Sequence, residues 1–159
     1  MKNKKPINDI PSGKKVKKPW GFEYKIYSND TSSTKLLCIK SGKKTSMHCH
    51  PVKKTGYILL KGSVDVDLGF YERRTLCSIS KLMIRPGLFH CTHNNTDKDS
   101  IILEIETPID KDDLVRFQDK YGRENEPYEG LSQMKNLSGE DIVFEDPDVD
   151  TFKNYLLYG

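Results

Sequence analysis

The chain has 159 residues, of which 35% are hydrophobic and 31% charged, with four cysteines and a formal net charge of +3. That length suits one domain able to bury a core without disulfides. No apolar run reaches the ~18 residues of a membrane span, and no apolar segment follows the N-terminal lysines to make a secretory signal. Seven lysines stand among the first eighteen residues, and the remainder carries 19 bases against 22 acids. A basic tail on a slightly acidic body argues against a nucleic-acid-binding surface.

Residues 1–17 read as a basic, flexible tail, since they combine high charge with little apolar content. From Trp20 to Thr107 the chain is a series of short alternating segments: residues 22–27, 35–40, 45–50, 56–60, 63–68, 81–84 and 100–106, with turns at Ser41-Gly42 and Pro86-Gly87. In 63–68, Val64, Val66 and Leu68 share a face; in 100–106, Ile101, Leu103 and Ile105 oppose Ile102, Glu104 and Glu106. Many short strands without helical periodicity between them predict an antiparallel sandwich or barrel. Residues 110–121 carry Leu114, Val115 and Phe117 among charges, which predicts a short helix capped by Asp110 or Asp112. Residues 124–159 read as an acidic extension whose apolar end, 152–158, packs on the barrel or on a second subunit. Cys38, Cys49, Cys77 and Cys91 form no CxxC pair, which predicts reduced thiols and a cytoplasmic protein. Cys49 and Cys91 adjoin histidines, and strand alternation turns them away as buried thiols.

The four histidines fall in two clusters, His48 with His50 and His90 with His93. His48 and His50 share one side of a strand, and a Pro-Gly turn delivers His90 at the start of another. Three neutral imidazoles converging inside a barrel suit zinc, iron, nickel, copper or manganese, and spacing does not choose among them. His93 is a fourth candidate ligand.

Gly42, His48, His50, Thr55 and Gly62 resemble the first motif of the cupin superfamily, which has Glu at the Thr55 position. Pro86, His90 and Asn94 resemble the second motif, whose leading Gly is Ile79 here. The resemblance implies a double-stranded β-helix, or jelly-roll barrel, over residues 18–123. Lys18-Pro19-Trp20-Gly21 and the run from Asp112 through Leu114, Arg116 and Tyr121 to Arg123 resemble, more narrowly, the C-terminal cupin domain of type II mannose-6-phosphate isomerases. That family has an arginine where Lys53 stands, so a planar fork for phosphate is replaced by a point charge. Bifunctional members also carry a nucleotidyltransferase domain, and this sequence shows no glycine-rich phosphate loop to match one.

The resemblance implies a metal-dependent isomerase or epimerase acting on a sugar phosphate or nucleotide sugar, in surface-polysaccharide biosynthesis, as a homodimer. A divalent metal on His48, His50 and His90 would polarise the sugar. Glu106 or Glu104 would move a proton, and Lys53, Arg85 and Arg116 would hold the phosphate. The plainer readings are a solvated face for the two glutamates and an exposed loop for Lys53. For Arg116 and Arg123 the plainer reading is salt bridges that tie the C-terminal segment to the barrel. Two other functions remain open: a non-catalytic sugar- or partner-binding module, which loss of the ligand Glu would suit, and a three-histidine iron dioxygenase.

Overall fold

The computed structural model describes residues 15–123, apart from 70, 111 and 119. Within them the chain forms β1 (Lys15–Lys18), β2 (Gly21–Ser28), β3 (Ser33–Ile39), β4 (Met47–Cys49), β5 (Lys54–Lys61), β6 (Val64–Leu68), β7 (Glu72–Leu76), β8 (Lys81–Ile84), β9 (His90–His93), β10 (Ser100–Thr107) and β11 (Val115–Gln118). Two antiparallel sheets face one another, in the orders β1-β2-β3-β10-β5-β8 and β11-β4-β9-β6-β7. This is the all-β jelly roll that the alternating segments predict.

Alternation decides what each strand buries. On β10, Ser100, Ile102, Glu104 and Glu106 point inward, while Ile105 is exposed. On β3 the inward set is Ser33, Lys35, Leu37 and Ile39, and on β5 it is Thr55, Tyr57 and Leu59. Register stacks these residues in rows across the six-stranded sheet: Ser33, Glu106, Thr55 and Ile84 in one, Lys35, Glu104 and Tyr57 in the next, and Leu37, Ile102 and Leu59 in the third. The third row joins Trp20, Ile39, Val64, Val66 and Leu76 in the hydrophobic core. The first two rows are polar apart from Ile84 and the ring of Tyr57, which also join that core, so the barrel interior changes character along its strands.

Four expectations need correction. Residues 110–121 form no helix, and among the described residues there is none. Val115–Gln118 instead pairs with β4, placing Val115 opposite Cys49 and Arg116 opposite His48; tertiary pairing overrides a weak helical pattern. Residues 15–17, read as tail, form a strand together with Lys18, because Val16 is buried and each of the four residues pairs with β2. β7 went unforeseen because four of its five residues are exposed and carry no apolar alternation. Lys53 is buried rather than an exposed loop lysine. The calls on the tail before residue 15 and on the extension after 123 lie outside the described residues.

Two backbone positions clarify the motifs. A Cβ on Gly21 would lie 1.9 Å from the Cys38 carbonyl oxygen, so the turn into β2 admits only glycine there. Ile79, which stands where the cupin motif has Gly, has φ of 63°, a left-handed conformation unfavourable for a β-branched residue.

Candidate functional site

The register that closes the five-stranded sheet sets His48 on β4 directly opposite His90 on β9. His50 follows one residue beyond β4. The three ring centroids lie 4.4 to 5.8 Å apart, and one ligand nitrogen from each lies within 4.8 Å of the others. Two metal–nitrogen bonds of about 2.1 Å span up to ~4.2 Å, so small ring rotations bring all three onto one ion.

Each ring is oriented by a backbone carbonyl. Nδ1–H of His48 donates to Ser46 O at 2.8 Å, that of His50 to Asp113 O at 2.6 Å, and that of His90 to Leu88 O at 3.0 Å. A carbonyl only accepts, so the proton sits on Nδ1 and the Nε2 lone pairs are left to point inward. Nε2 of His90 is buried without a hydrogen-bond partner, which a metal would relieve. Burial holds all three rings below their ordinary pKa. For His48 the charges of His90 and His50 add to the effect, and His50 is brought down to about 4 with help from Lys53. Three neutral imidazoles therefore meet in the barrel, as metal ligands must.

His93 does not join them. Its Nε2 lies 2.6 Å from Asp67 Oδ2, on the other face of β9. Cys49 and Cys91 are buried, facing away from the triad as expected.

His48 and His50 of the triad line a pocket of about 570 Å³, counted with its open mouth, whose far wall is the six-stranded sheet. Glu104 and Glu106 face into it and are buried. Lys35 Nζ lies 2.9 Å from a carboxylate oxygen of each. Glu106 also takes a hydrogen bond from Ser33 Oγ at 3.3 Å and lies 3.5 Å from Lys53 Nζ. Burial raises the pKa of Glu104, against the pull of Lys35 and with the push of Glu106. Tyr57 lines the same pocket and is held well above 10, chiefly by burial and then by Glu104, so it stays a hydroxyl donor.

Thr55 points inward in the row of Glu106, 1% exposed, with its Oγ1 lacking a partner. Arg116 lines the pocket. Arg85 does not: it is exposed, with Nη1 on Pro86 O. Residues that sequence reasoning did not assign to the pocket are Lys18, Glu23, Lys35, Tyr57 and Arg123. Lys35 was discoverable, because it shares parity with Leu37 and Ile39. Asp113 also gains a role. Its carboxylate accepts the backbone N–H groups of Val52 and Lys53 at 2.7 to 3.2 Å, while its carbonyl orients His50. One residue thus clamps the loop between the two sheets.

The family described as the C-terminal domain of mannose-6-phosphate isomerase matches residues 7–119. The chain belongs to that family. As a member of this cupin family it is 26% identical over 112 residues to mannose-1-phosphate guanylyltransferase ManC of Salmonella typhimurium, covering 69% of this chain and 23% of the relative. It is 28% identical over 112 residues to the xanthan biosynthesis protein XanB of Xanthomonas campestris, covering 69% and 24%. The match thus spans about a quarter of those relatives' length. A double-stranded β-helix protein from Klebsiella pneumoniae superposes with a TM-score of 0.56 at 12% identity, covering 75% of this chain and all of that one. This likeness shows the fold.

Proposed function

We propose that this cupin is a metal-dependent isomerase or epimerase of a sugar phosphate or nucleotide sugar, serving polysaccharide biosynthesis. The observation that carries the reading is the pair Glu104 and Glu106, buried on the wall of the pocket that His48 and His50 of the triad line. His48, His50 and His90 would hold a divalent cation, zinc, manganese, nickel or iron by donor type. When bound, the metal supplies polarisation of a sugar carbonyl or hydroxyl oxygen.

The chain's own residues then divide the proton work. Glu106 lies against Lys35, Lys53 and the Ser33 hydroxyl, and suits a base removing a proton from carbon. Glu104, with its raised pKa, suits the acid that returns one to oxygen. Lys35 fixes both, and the Tyr57 hydroxyl lines the same pocket. The low-exposure walls limit water. The relatives' names, a guanylyltransferase of mannose 1-phosphate and a xanthan biosynthesis protein, support the sugar chemistry.

The test is proton exchange. Protein loaded with zinc or manganese and incubated with phosphorylated hexoses in deuterated water should place deuterium at the carbon beside the carbonyl, seen by NMR. Glu106→Gln should abolish the exchange. Binding without exchange for any sugar tried would sink the isomerase reading. It would favour a non-catalytic sugar-binding module, the reading that Thr55 at the ligand-Glu position supports. Iron recovered at one per chain, with oxygen uptake, would favour a dioxygenase.

A further inference from the structure

The outward residues of the six-stranded sheet are largely apolar, as half of its inward ones are. Tyr24, Leu36, Leu103 and Ile58 stand side by side in one row across β2, β3, β10 and β5. Ile105, Gly56 and Met83 follow in the next row. Leu36, flanked by Tyr24 and Leu103, is 5% exposed, whereas Ile105 and Met83 are 40% and 60% exposed. Met83 leans over Gly56, its Sδ 3.3 Å from where a Cβ would stand, with Ile105 Cβ at 4.0 Å on the other side. The two rows thus make one continuous apolar surface.

Charge on this face has one sign. The carboxylates on the six strands, Glu23, Glu104 and Glu106, are buried and line the interior pocket. Asp99, in the loop before β10, is held by Lys40 at 2.6 Å. Exposed lysines border the outer face: Lys54 at the start of β5, Lys81 opposite Ile58, and Lys61 opposite Ile101. A contiguous apolar surface with a polar rim marks a place where another segment rests, and a rim of lysines favours an anionic one.

The sequence supplies a segment of that chemistry. Residues 140–150 include Glu140, Asp141, Glu145, Asp146, Asp148 and Asp150 and no base, and Phe152, Tyr155, Leu156, Leu157 and Tyr158 follow. Arg123, where the described chain stops, lies near enough to Lys18 for the two charges to interact. Lys18 belongs to β1, an edge strand of this same sheet. At about 3.3 Å per residue, residues 124–151 can span several times the ~24 Å width of six strands.

We infer that residues 152–158 dock on the outer face of the six-stranded sheet of their own chain, with the acids of 140–150 against Lys54, Lys61 and Lys81. Docking takes the exposed parts of Ile105 and Met83 out of water. It also occupies a face by which two copies would otherwise associate.

Photocrosslinking of the full chain tests it. A photoreactive phenylalanine analogue replaces Ile105 or Met83, and an equal mixture of isotopically light and heavy chains is irradiated and read by mass spectrometry. Crosslinks from both positions should fall in 152–158 and join peptides of like label. The same analogue at Thr75, exposed on the five-stranded sheet, should give none to that segment. Leu156→Asp with Leu157→Asp should remove the crosslinks. Lys54→Glu with Lys81→Glu should reduce them about threefold, while Lys54→Arg with Lys81→Arg should retain them. Melting curves for each variant check that the barrel persists. Crosslinks of mixed label would overturn the docking in favour of a second copy on this face. No crosslink to 152–158, equal labelling from Thr75, or indifference to the Leu156 and Leu157 changes would overturn it outright. An undiminished yield after charge reversal would overturn the part given to the lysines.

Discussion

On β10, Ile102 packs among Leu37, Leu59 and Val66, whereas Glu104 and Glu106, two and four residues further on, face a pocket of charge. β3 makes the same change from Ile39 and Leu37 to Lys35 and Ser33, and β5 from Leu59 through Tyr57 to Thr55. The two ends of the barrel therefore share strands, register and burial, and differ in what the buried side chains ask of one another. In the apolar end each residue needs only volume to fill. In the polar end each charge needs a named partner, so the loss of one group leaves another stranded.

The largest break in that comparison is Lys35→Met. It leaves Glu104 and Glu106 buried side by side, and should cost about 3–5 kcal/mol in urea unfolding. Adding Glu104→Gln should recover part of the loss. Leu59→Ala at the apolar end should cost a similar ~2–5 kcal/mol through its cavity, and Glu104→Gln should not repair it. Equal rescue of both variants would mean that the two ends do not differ as described.

A second separation is by pH. Unfolded histidines take up protons near pH 6.5, while the folded triad does so only at lower pH, near 4 for His50. Below 6.5 the unfolded chain thus binds more protons, and apo-protein stability should fall as pH drops from about 6.5 towards 4, with the full contribution present above that window. Melting temperature against pH should show this fall. Zinc, competing with protons for the same nitrogens, should move it to more acid pH, and Leu59→Ala should run parallel to wild type.

A subtler change is Thr55→Glu. A carboxylate beside the triad should lower apo-protein stability, because it is buried without metal. It should also enlarge the gain in melting temperature on adding zinc or manganese. An equal response of the two proteins to metal would show that Thr55 does not reach the ion. The smallest effect belongs to a position at neither end. Ile79→Gly should raise stability by about 1 kcal/mol, since a left-handed backbone costs a non-glycine residue ~1–2 kcal/mol; no gain in urea unfolding would show that Ile79 is not strained there.

The polar end was only partly legible in the sequence. His48, His50 and His90 could be read because same-face spacing and a turn are local. Glu104 and Glu106 were correctly put on one face with Ile102, but parity cannot say whether a face holding both an isoleucine and two glutamates looks in or out. The answer lay in Lys35, a lysine in phase with Leu37 and Ile39, whose meaning appears only when β3 and β10 are paired. Residues 110–121 failed for the same reason. Nothing local in Val115 to Gln118 reveals that it will lie against β4, or that Asp113 will bind the loop of Val52 and Lys53. Lys18 was legible as the start of the Lys18-Pro19-Trp20-Gly21 motif but not as a pocket residue, and Arg85 stood near His90 in sequence without lining the pocket.

The clamp at Asp113 also fixes when the pocket comes into being. When residues up to the end of β10 have left the ribosome's tunnel, every residue of the apolar cluster's buried set is outside, together with all three histidines and both glutamates. Still inside the tunnel are the carbonyl that aims His50, the carboxylate that holds the loop of Val52 and Lys53, and the guanidinium of Arg116. The nascent chain can thus assemble a barrel before it can assemble an aligned triad, and the pocket is finished by nearly the last turn of the described chain to leave the tunnel.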